Sequence, residues 1–403
     1  LETTVFELLN EELNEYSLQY ASKSFYQNLV YDLSDLLLSH WYEDHDEDDV
    51  HYFMYMIIMS FFQVFLEFPH RSYVEYNEVL DIYALARQIQ NLRAIEQPTQ
   101  RTDEWYAFRN KLLTASSIWK VFGTESQRNS LIYEKCKCEQ EKRIFNLSMQ
   151  WGNIFEPLST KIYELKYNTT VEDYGCIPHP NYPFIGASPD GINIDPESEK
   201  FGRMLEVKNI YNREIDGIPK DEYWIQMQIQ METCDLDICD FLETRFLEYE
   251  TLEAYNAGEH EYKGIVLCFI KGYNEDMKYL YKPLSMVDND IIGEWAHDQC
   301  AIMHRLQYSY TRTIYWYLDE FSCVTVTRNH RWFKKALPPI EEVYNIIQHE
   351  KVNGFEHRAP KKPRKTASVT VSQDETSDSQ LIHNLTTDRQ INLVKLESES
   401  ANV

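Results

Sequence analysis

Two short apolar segments with charges set inside them constrain this chain more than any other feature. They are Phe-Ile-Gly-Ala-Ser-Pro-Asp-Gly-Ile at 184–192 and Met-Leu-Glu-Val-Lys-Asn-Ile at 204–210. The first opens as a β-strand and the second reads as one throughout, and side chains two apart on a strand share a face. Glu206 and Lys208 therefore emerge together while Val207 packs the other way, and Asp190 falls at a strand end against a Gly turn. The bare tokens are weak. Pro-Asp is expected about once by chance at average composition, and Glu-x-Lys recurs at Glu164/Lys166 and Glu261/Lys263. The apolar β context separates this copy from those. Carboxylates from adjacent strands, Asp190 and Glu206, with the main-chain carbonyl of Val207, offer the hard oxygen ligands preferred by Mg²⁺, with Mn²⁺ as a substitute. An ammonium beside them orients water and stabilises developing negative charge. That arrangement suits phosphodiester hydrolysis. The competing reading is a surface hairpin carrying a weak exposed ion pair.

The rest of the chain divides by texture. Residues 1–97 read as an acidic helical region: the first 60 residues hold thirteen acids and Lys23 as the one base. Phe25, Leu29, Val30, Leu33, Leu36 and Leu37 keep helical spacing, as do Val79, Ile82, Tyr83, Leu85 and Ala86. The acids Glu43, Asp44, Asp46, Glu47, Asp48 and Asp49 read as a solvated loop, since they lack the Gly and closing Glu of a calcium loop. The apolar run Tyr52–Leu66 is shorter than the ~18–20 residues of a membrane span and reads as a buried helix. The first residues are acidic and helix-like rather than a signal peptide.

Residues 98–285 read as an α/β body, with strands expected at Phe184–Ala187, Met204–Ile210, Phe241–Leu247 and Gly264–Ile270, the last buried on both faces. Residues 286–355 read as helical, on the spacing of Trp295, Ile302, Leu306 and Tyr310 and of Val343, Tyr344 and Ile347. Residues 356–403 carry the basic run Pro-Lys-Lys-Pro-Arg-Lys at 360–365 and a polar tail expected to be disordered. The run suits a nuclear import signal, a phosphate-binding arm or a solubilising linker.

A formal charge of −26 excludes a basic wrapping protein. Locally, residues 101–150 hold nine Lys and Arg against six acids, and 301–370 hold twelve against six, so two segments suit phosphate contact. Trp105, Trp119 and Trp332 are candidates to line a DNA channel. Eight scattered cysteines point to reduced thiols in an intracellular compartment, cytoplasm or nucleus, and Cys136, Cys138, Cys176, Cys234 and Cys239 lack the closing triplet of an iron–sulfur site.

Five blocks in order carry a resemblance. Arg109 with Thr114-Ala115-Ser116, Trp151-Gly152 with Glu156-Pro157, Ser188-Pro189-Asp190-Gly191, Glu206-Val207-Lys208, and Tyr223 with Gln226 and Gln228 resemble the phage lambda exonuclease and YqaJ-type viral recombinase nucleases of the PD-(D/E)XK superfamily. The resemblance covers about residues 100–250. It implies a restriction-endonuclease-like α/β core, a central mixed β-sheet flanked by helices, with the N-terminal helical region and a helical C-terminal addition outside it. It implies a Mg²⁺-dependent exonuclease digesting duplex DNA 5′ to 3′ from free ends, in viral or phage recombination, repair or processing. Asp190 and Glu206 would be the metal carboxylates and Lys208 the residue that positions water. Glu156 would add a carboxylate near a second metal position, and Gln226 would bond the water or the lysine region. Arg109 and Ser116 would hold a 5′ phosphate. Lys111 stands where the family often has Gly. A ring-shaped homotrimer and a single-strand annealing partner are further implications. A structure-specific endonuclease of the same fold and a non-catalytic DNA-end-binding scaffold are the alternatives.

Overall fold

The computed structural model describes residues 2–15, 18, 25–41, 46–65, 81–100, 102–137, 147–272 and 277–360. Four helices come first: α1 (Glu2–Glu15), α2 (Phe25–Trp41), α3 (Glu47–Phe65) and α4 (Ile82–Ala94). Val5, Leu9 and Leu13 of α1 recur at four-residue spacing and are buried with Phe25, Leu29 and Leu33 of α2 and Met54, Ile58 and Phe61 of α3. The apolar run expected as a buried helix is thus α3, buried along one stripe only: Tyr52 is 68% exposed and Phe53 47%. Part of the expected acidic loop is helix instead. Asp48 and Asp49 lie in the first turn of α3, and Asp46 Oδ1 accepts from the Asp48 N–H at 2.9 Å. Acids are favoured there because the first turn exposes unpaired N–H groups. Residues 43–45, Leu66, Val79 and the tail beyond Pro360, with Lys361–Lys365 of the basic run, lie outside the described residues. Among the described residues no helix is long and apolar enough to cross a membrane.

Helices α5 (Asp103–Asn110), α6 (Ala115–Ile118), α7 (Glu125–Cys136) and α8 (Leu147–Tyr167) follow, and later α9 (Asp221–Cys234), α10 (Leu252–Ala257), α11 (Asn289–Arg305) and α12 (His330–Asn353). Strands β1 (Leu113–Thr114), β3 (Ile177–Pro178) and β4 (Ile185–Ala187) make a small sheet in the order β1-β4-β3. The main sheet uses β2 (Val171–Glu172), β5 (Gly191–Asn193), β6 (Met204–Asn209), β7 (Ile238–Glu248), β8 (Lys263–Ile270), β9 (Lys278–Tyr281) and β10 (Ser309–Thr327), in the order β2-β5-β6-β7-β10-β8-β9. Within it only β6 and β7 run parallel, with α9 as their crossover, so the sheet is mixed. The expected α/β class and the four expected strands are present, and β8 is buried along all but its end residues.

The helical reading of residues 286–355 is corrected. Between α11 and α12 the chain forms β10, a 19-residue strand paired with both β7 and β8. Its sequence is rich in Tyr, Trp, Thr and Val, which suit a pleated half-buried surface. Tertiary pairing overrode the short helical spacing of Leu306 and Tyr310: Leu306 caps α11, and Tyr310 lies in β10 opposite Phe269. A boundary at 285 would cut this sheet, and Leu1–Ala359 is one unit. The reason β10 can sit so close to β8 is Gly264, opposite Trp316: a Cβ there would lie 2.7 Å from the indole, which packs edge-on to Phe246 at 5.3 Å. Trp332, expected on a DNA channel, is 1% exposed and packs on Trp224, so it is core.

Helices α8 and α9 cover opposite faces of β6. Leu205 and Val207 join Tyr163 of α8 and Leu242 in one apolar cluster, while Glu206 faces the glutamines of α9. A buried polar network ties β5, β6 and β7 from the α8 side. Asp240, 0% exposed, accepts from the Tyr163 hydroxyl at 2.8 Å and pairs with Lys200 at 2.9 Å and Arg203 at 3.3 Å. The Tyr163 hydroxyl also accepts from Asn193 Nδ2 at 3.0 Å. Removing one member leaves buried charges uncompensated. Asp240→Ala is therefore expected to destabilise the protein by about 3–5 kcal/mol, read from urea denaturation midpoints; a change within error would show the network to be dispensable.

Candidate active site

The alternation of β6 places Glu206 and Lys208 on the α9 face, and the β5–β6 pairing, Gly191 opposite Leu205, brings Asp190 alongside. Asp190 Oδ2 accepts the Val207 N–H at 2.8 Å. Gly191 leaves room for a side chain of the neighbouring strand β2: a Cβ would lie 2.1 Å from Val171 Cγ1. Glu206 is fully buried, and each of its oxygens is held. Lys208 Nζ and Gln226 Nε2 donate to Oε1, the latter at 2.7 Å, and Gln230 Nε2 donates to Oε2 at 2.7 Å. Gln226 and Gln230 are one helical turn apart on α9 and so reach the same carboxylate. The Lys208 ammonium also lies 5.0 Å from the Tyr223 ring centre, one further turn back along α9.

Charge is crowded here. Asp190 is pushed well above the usual carboxylate range, first by burial, then by the charges of Glu206 and Glu156. Burial works against the Lys208 ammonium, yet Glu206 and Asp190 outweigh it and hold the lysine above its ordinary value. Lys208 is thus held as an ammonium bonded to Glu206, whereas burial and crowding bias Asp190 toward its protonated form, a bias that added positive charge would oppose. Gln230 Oε1 is buried without a hydrogen-bond partner, an unsatisfied acceptor beside the same carboxylates. This excess of oxygen and negative charge fits a hard divalent cation. Among the described residues, however, no three His, Cys, Asp or Glu side chains form a group able to hold a metal by themselves. Glu156, on α8, acts on Asp190 through its charge.

A second group adjoins the carboxylates through Ser188, two residues before Asp190. Arg109 Nη1 donates to Ser188 Oγ at 3.1 Å and Nη2 to Ser116 Oγ at 3.0 Å, and the guanidinium lies 4.2 Å over the Trp105 ring. Trp105 Nε1 donates to Ser188 Oγ at 3.3 Å. Burial lowers the Arg109 pKa, with Cys176, Tyr106, Asp190 and Glu206 acting in the opposite sense. A guanidinium held by two neutral hydroxyls is arranged to receive an anion. Lys135 Nζ donates to the Arg109 carbonyl at 2.9 Å and is lowered to about 8 by burial and then by the Arg109 charge, which adds a second cation behind the pocket.

Asp190, Glu206, Val207, Lys208 and Gln226 therefore come together, and Arg109 and Ser116 meet each other nearby. Ser116 lies inside α6, whose N-cap is Thr114. Sequence reasoning missed three side chains: Gln230, which reads as one more polar-face glutamine; Ser188, which reads only as part of its block; and Lys135. The four-residue spacing from Gln226 was the available signal for Gln230, while nothing local marked Lys135.

An acid whose folded-state pKa lies above its unfolded value supports the fold fully at low pH and withdraws that support as pH rises through the folded value. Asp190 is such a group. In chelator, Asp190→Asn, which keeps the acceptor for Val207, is expected to melt a few degrees above the wild type at about pH 7.5 and to converge with it near about pH 4. An Asn variant that melts lower at the alkaline end would contradict the crowding.

Comparison with known proteins places this site in context. Protein R354 of Acanthamoeba polyphaga mimivirus, uncharacterised, is 27% identical over 321 residues, covering 70% of this chain and 56% of its own. A protein of African swine fever virus is 27% identical over 159 residues, covering 33% of this chain and 46% of its own. The chain thus spans about half the length of the curated relatives it matches. Among solved structures, the alkaline exonuclease LHK-Exo of Laribacter hongkongensis, in complex with dAMP, is 20% identical with a TM-score of 0.38, over 64% of this chain and 98% of its own. A phage-related exonuclease from Haemophilus somnus is 15% identical with a TM-score of 0.32, over 60% and 93%. The family profile that matches spans every residue of the site described above: residues 104–237 match the model of the YqaJ-like viral recombinase domain.

Proposed function

We propose that the protein is a divalent-metal-dependent deoxyribonuclease that digests duplex DNA 5′ to 3′ from free ends during viral recombination. The observation that carries this reading is the meeting of Asp190, Glu206 and Lys208 on one face of the sheet, with the Arg109–Ser116–Ser188 anion pocket joined to it through the 188–190 link. Recombination is supported by the recombinase domain at 104–237.

Asp190, Glu206 and the Val207 carbonyl are the oxygens that would hold Mg²⁺, with Glu156 within electrostatic reach of Asp190. When bound, the cation supplies Lewis acidity and lowers the pKa of water. The chain's own groups do the rest. Lys208 presents a protonated ammonium beside Glu206 and neutralises charge that develops on the phosphate under attack. Gln226 and Gln230 fix the Glu206 carboxylate so that it cannot rotate away from the reacting centre. Arg109 and Ser116 hold a terminal 5′ phosphate, which sets how far along the strand cleavage falls.

Three measurements test this reading. On 5′-phosphorylated linear duplex, the protein with Mg²⁺ should release nucleotides, chelator should stop release, and a covalently closed duplex circle should survive; nicking of the circle would favour the endonuclease alternative. Lys208→Ala should lower the rate by about 10²–10³-fold, and full activity in that variant would remove the mechanism. Arg109→Ala should cut the preference for phosphorylated over hydroxyl 5′ ends by about tenfold or more, whereas equal loss on both end types would remove the end-binding assignment.

A further inference from the structure

The side chains around Glu206 lie in a line. Gln230 donates to both the Ser188 carbonyl, at 3.4 Å, and Glu206; Gln226 donates to Glu206; Tyr223 packs on Lys208. Three successive turns of α9 thus run alongside β6 from the Arg109–Ser188 pocket, past the carboxylates, to a far end beyond Lys208. Two further charges occupy that far end. Glu243 of β7 stands opposite Lys208 in the parallel β6–β7 ladder. It is 0% exposed; Arg213 is bonded to its Oε1, and its Oε2 is buried without a partner. Arg213 comes from the loop after β6 and lies 5.9 Å over the Tyr223 ring that Lys208 also faces. Its side chain is 24% exposed, and its backbone carbonyl is tied by Arg245 Nη2 at 2.5 Å.

A buried carboxylate with one oxygen left unpaired is a costly way to anchor a loop if anchoring is all it does. It is a sound way to hold a guanidinium in a fixed direction at the mouth of an anion site. We propose that Arg213, oriented by Glu243 and the Tyr223 ring, binds the DNA phosphate on the 3′ side of the scissile linkage, so that the site grips three consecutive phosphates. The 5′-terminal phosphate is held by Arg109, the scissile one lies over Asp190, Glu206 and Lys208, and the next one meets Arg213. This deepens the nuclease reading and rests on it. The Arg109 end holds the nucleotide that leaves and the Arg213 end holds the strand that remains, so Arg213 keeps the shortened strand engaged after each cut.

The experiment uses the full chain and 5′-phosphorylated duplex oligonucleotides whose second linkage from the 5′ end is either phosphate or neutral methylphosphonate. Release of the first nucleotide is followed in a single turnover. The wild type should lose about tenfold or more on the neutral linkage. The paired variant Arg213→Ala with Glu243→Gln, which leaves no uncompensated carboxylate, should be slowed by a similar factor on the phosphate substrate and lose nothing more on the methylphosphonate. Arg213→Lys should retain part of the discrimination, and it tests the charge if the paired variant does not fold. If the neutral linkage slows the paired variant and the lysine variant as much as the wild type, Arg213 does not contact that phosphate. A wild type indifferent to the methylphosphonate also overturns the assignment while leaving the nuclease reading intact. A chain that releases nothing from either substrate defeats the nuclease reading and this inference with it.

Discussion

Burying the Glu206 carboxylate is the constraint around which the core is arranged. A charge taken fully out of water is tolerated only when every lone pair finds a donor. Here the donors come from two elements. Lys208 shares the strand face by simple alternation, and Gln226 and Gln230 share an α9 face by helical repeat. Neither arrangement works unless α9 lies flat against β6, which the crossover from β6 to β7 enforces. The fold and the site are therefore one problem: the helix that completes the parallel pair also supplies the amide donors that hold the buried acid.

The opposite face of the sheet supplies the rigidity this needs. Leu205 and Val207 bury their side chains against Tyr163, whose hydroxyl closes the Asp240 network. Asn209, at the end of β6, accepts from Ser159 at 2.7 Å and Thr244 at 2.9 Å. Neighbouring residues of one six-residue strand thus serve opposite faces: Leu205 and Val207 pack against α8, while Glu206 and Lys208 face the site. The consequence of crowding the carboxylates is an Asp190 that favours its proton, a tension of the kind that functional sites retain because relieving it would remove the function.

How much of this was legible in the sequence follows from how local each feature is. The pairing of Glu206 with Lys208 needed only the period of a strand. The position of Asp190 needed only a strand end and a glycine, and Gln226 needed the family blocks. Ser188 and Gln230 touch the same groups but carry no pattern of their own, because serine and glutamine are ordinary on loops and helix faces. Lys135 is 26 residues from Arg109 along the chain and meets it only through the packing of α7. The misreading of β10 has the same origin. Spaced apolar residues suit a helix face over a short window, and the aromatic and β-branched run that distinguishes a strand gains its meaning only from partners on β7 and β8.

By itself the amino-acid order determined the α/β class, the strands that carry the charged motif, and the chemistry its oxygens and ammonium favour, because strand period and side-chain type are properties of a few adjacent residues. Tertiary structure alone decided which glutamines hold Glu206, that Ser188 joins the arginine pocket to the carboxylates, that Trp332 is core rather than channel, and that a 19-residue strand lies between β7 and β8. Those outcomes depend on contacts between segments tens to hundreds of residues apart, whose free energy appears only once the chain has closed on itself.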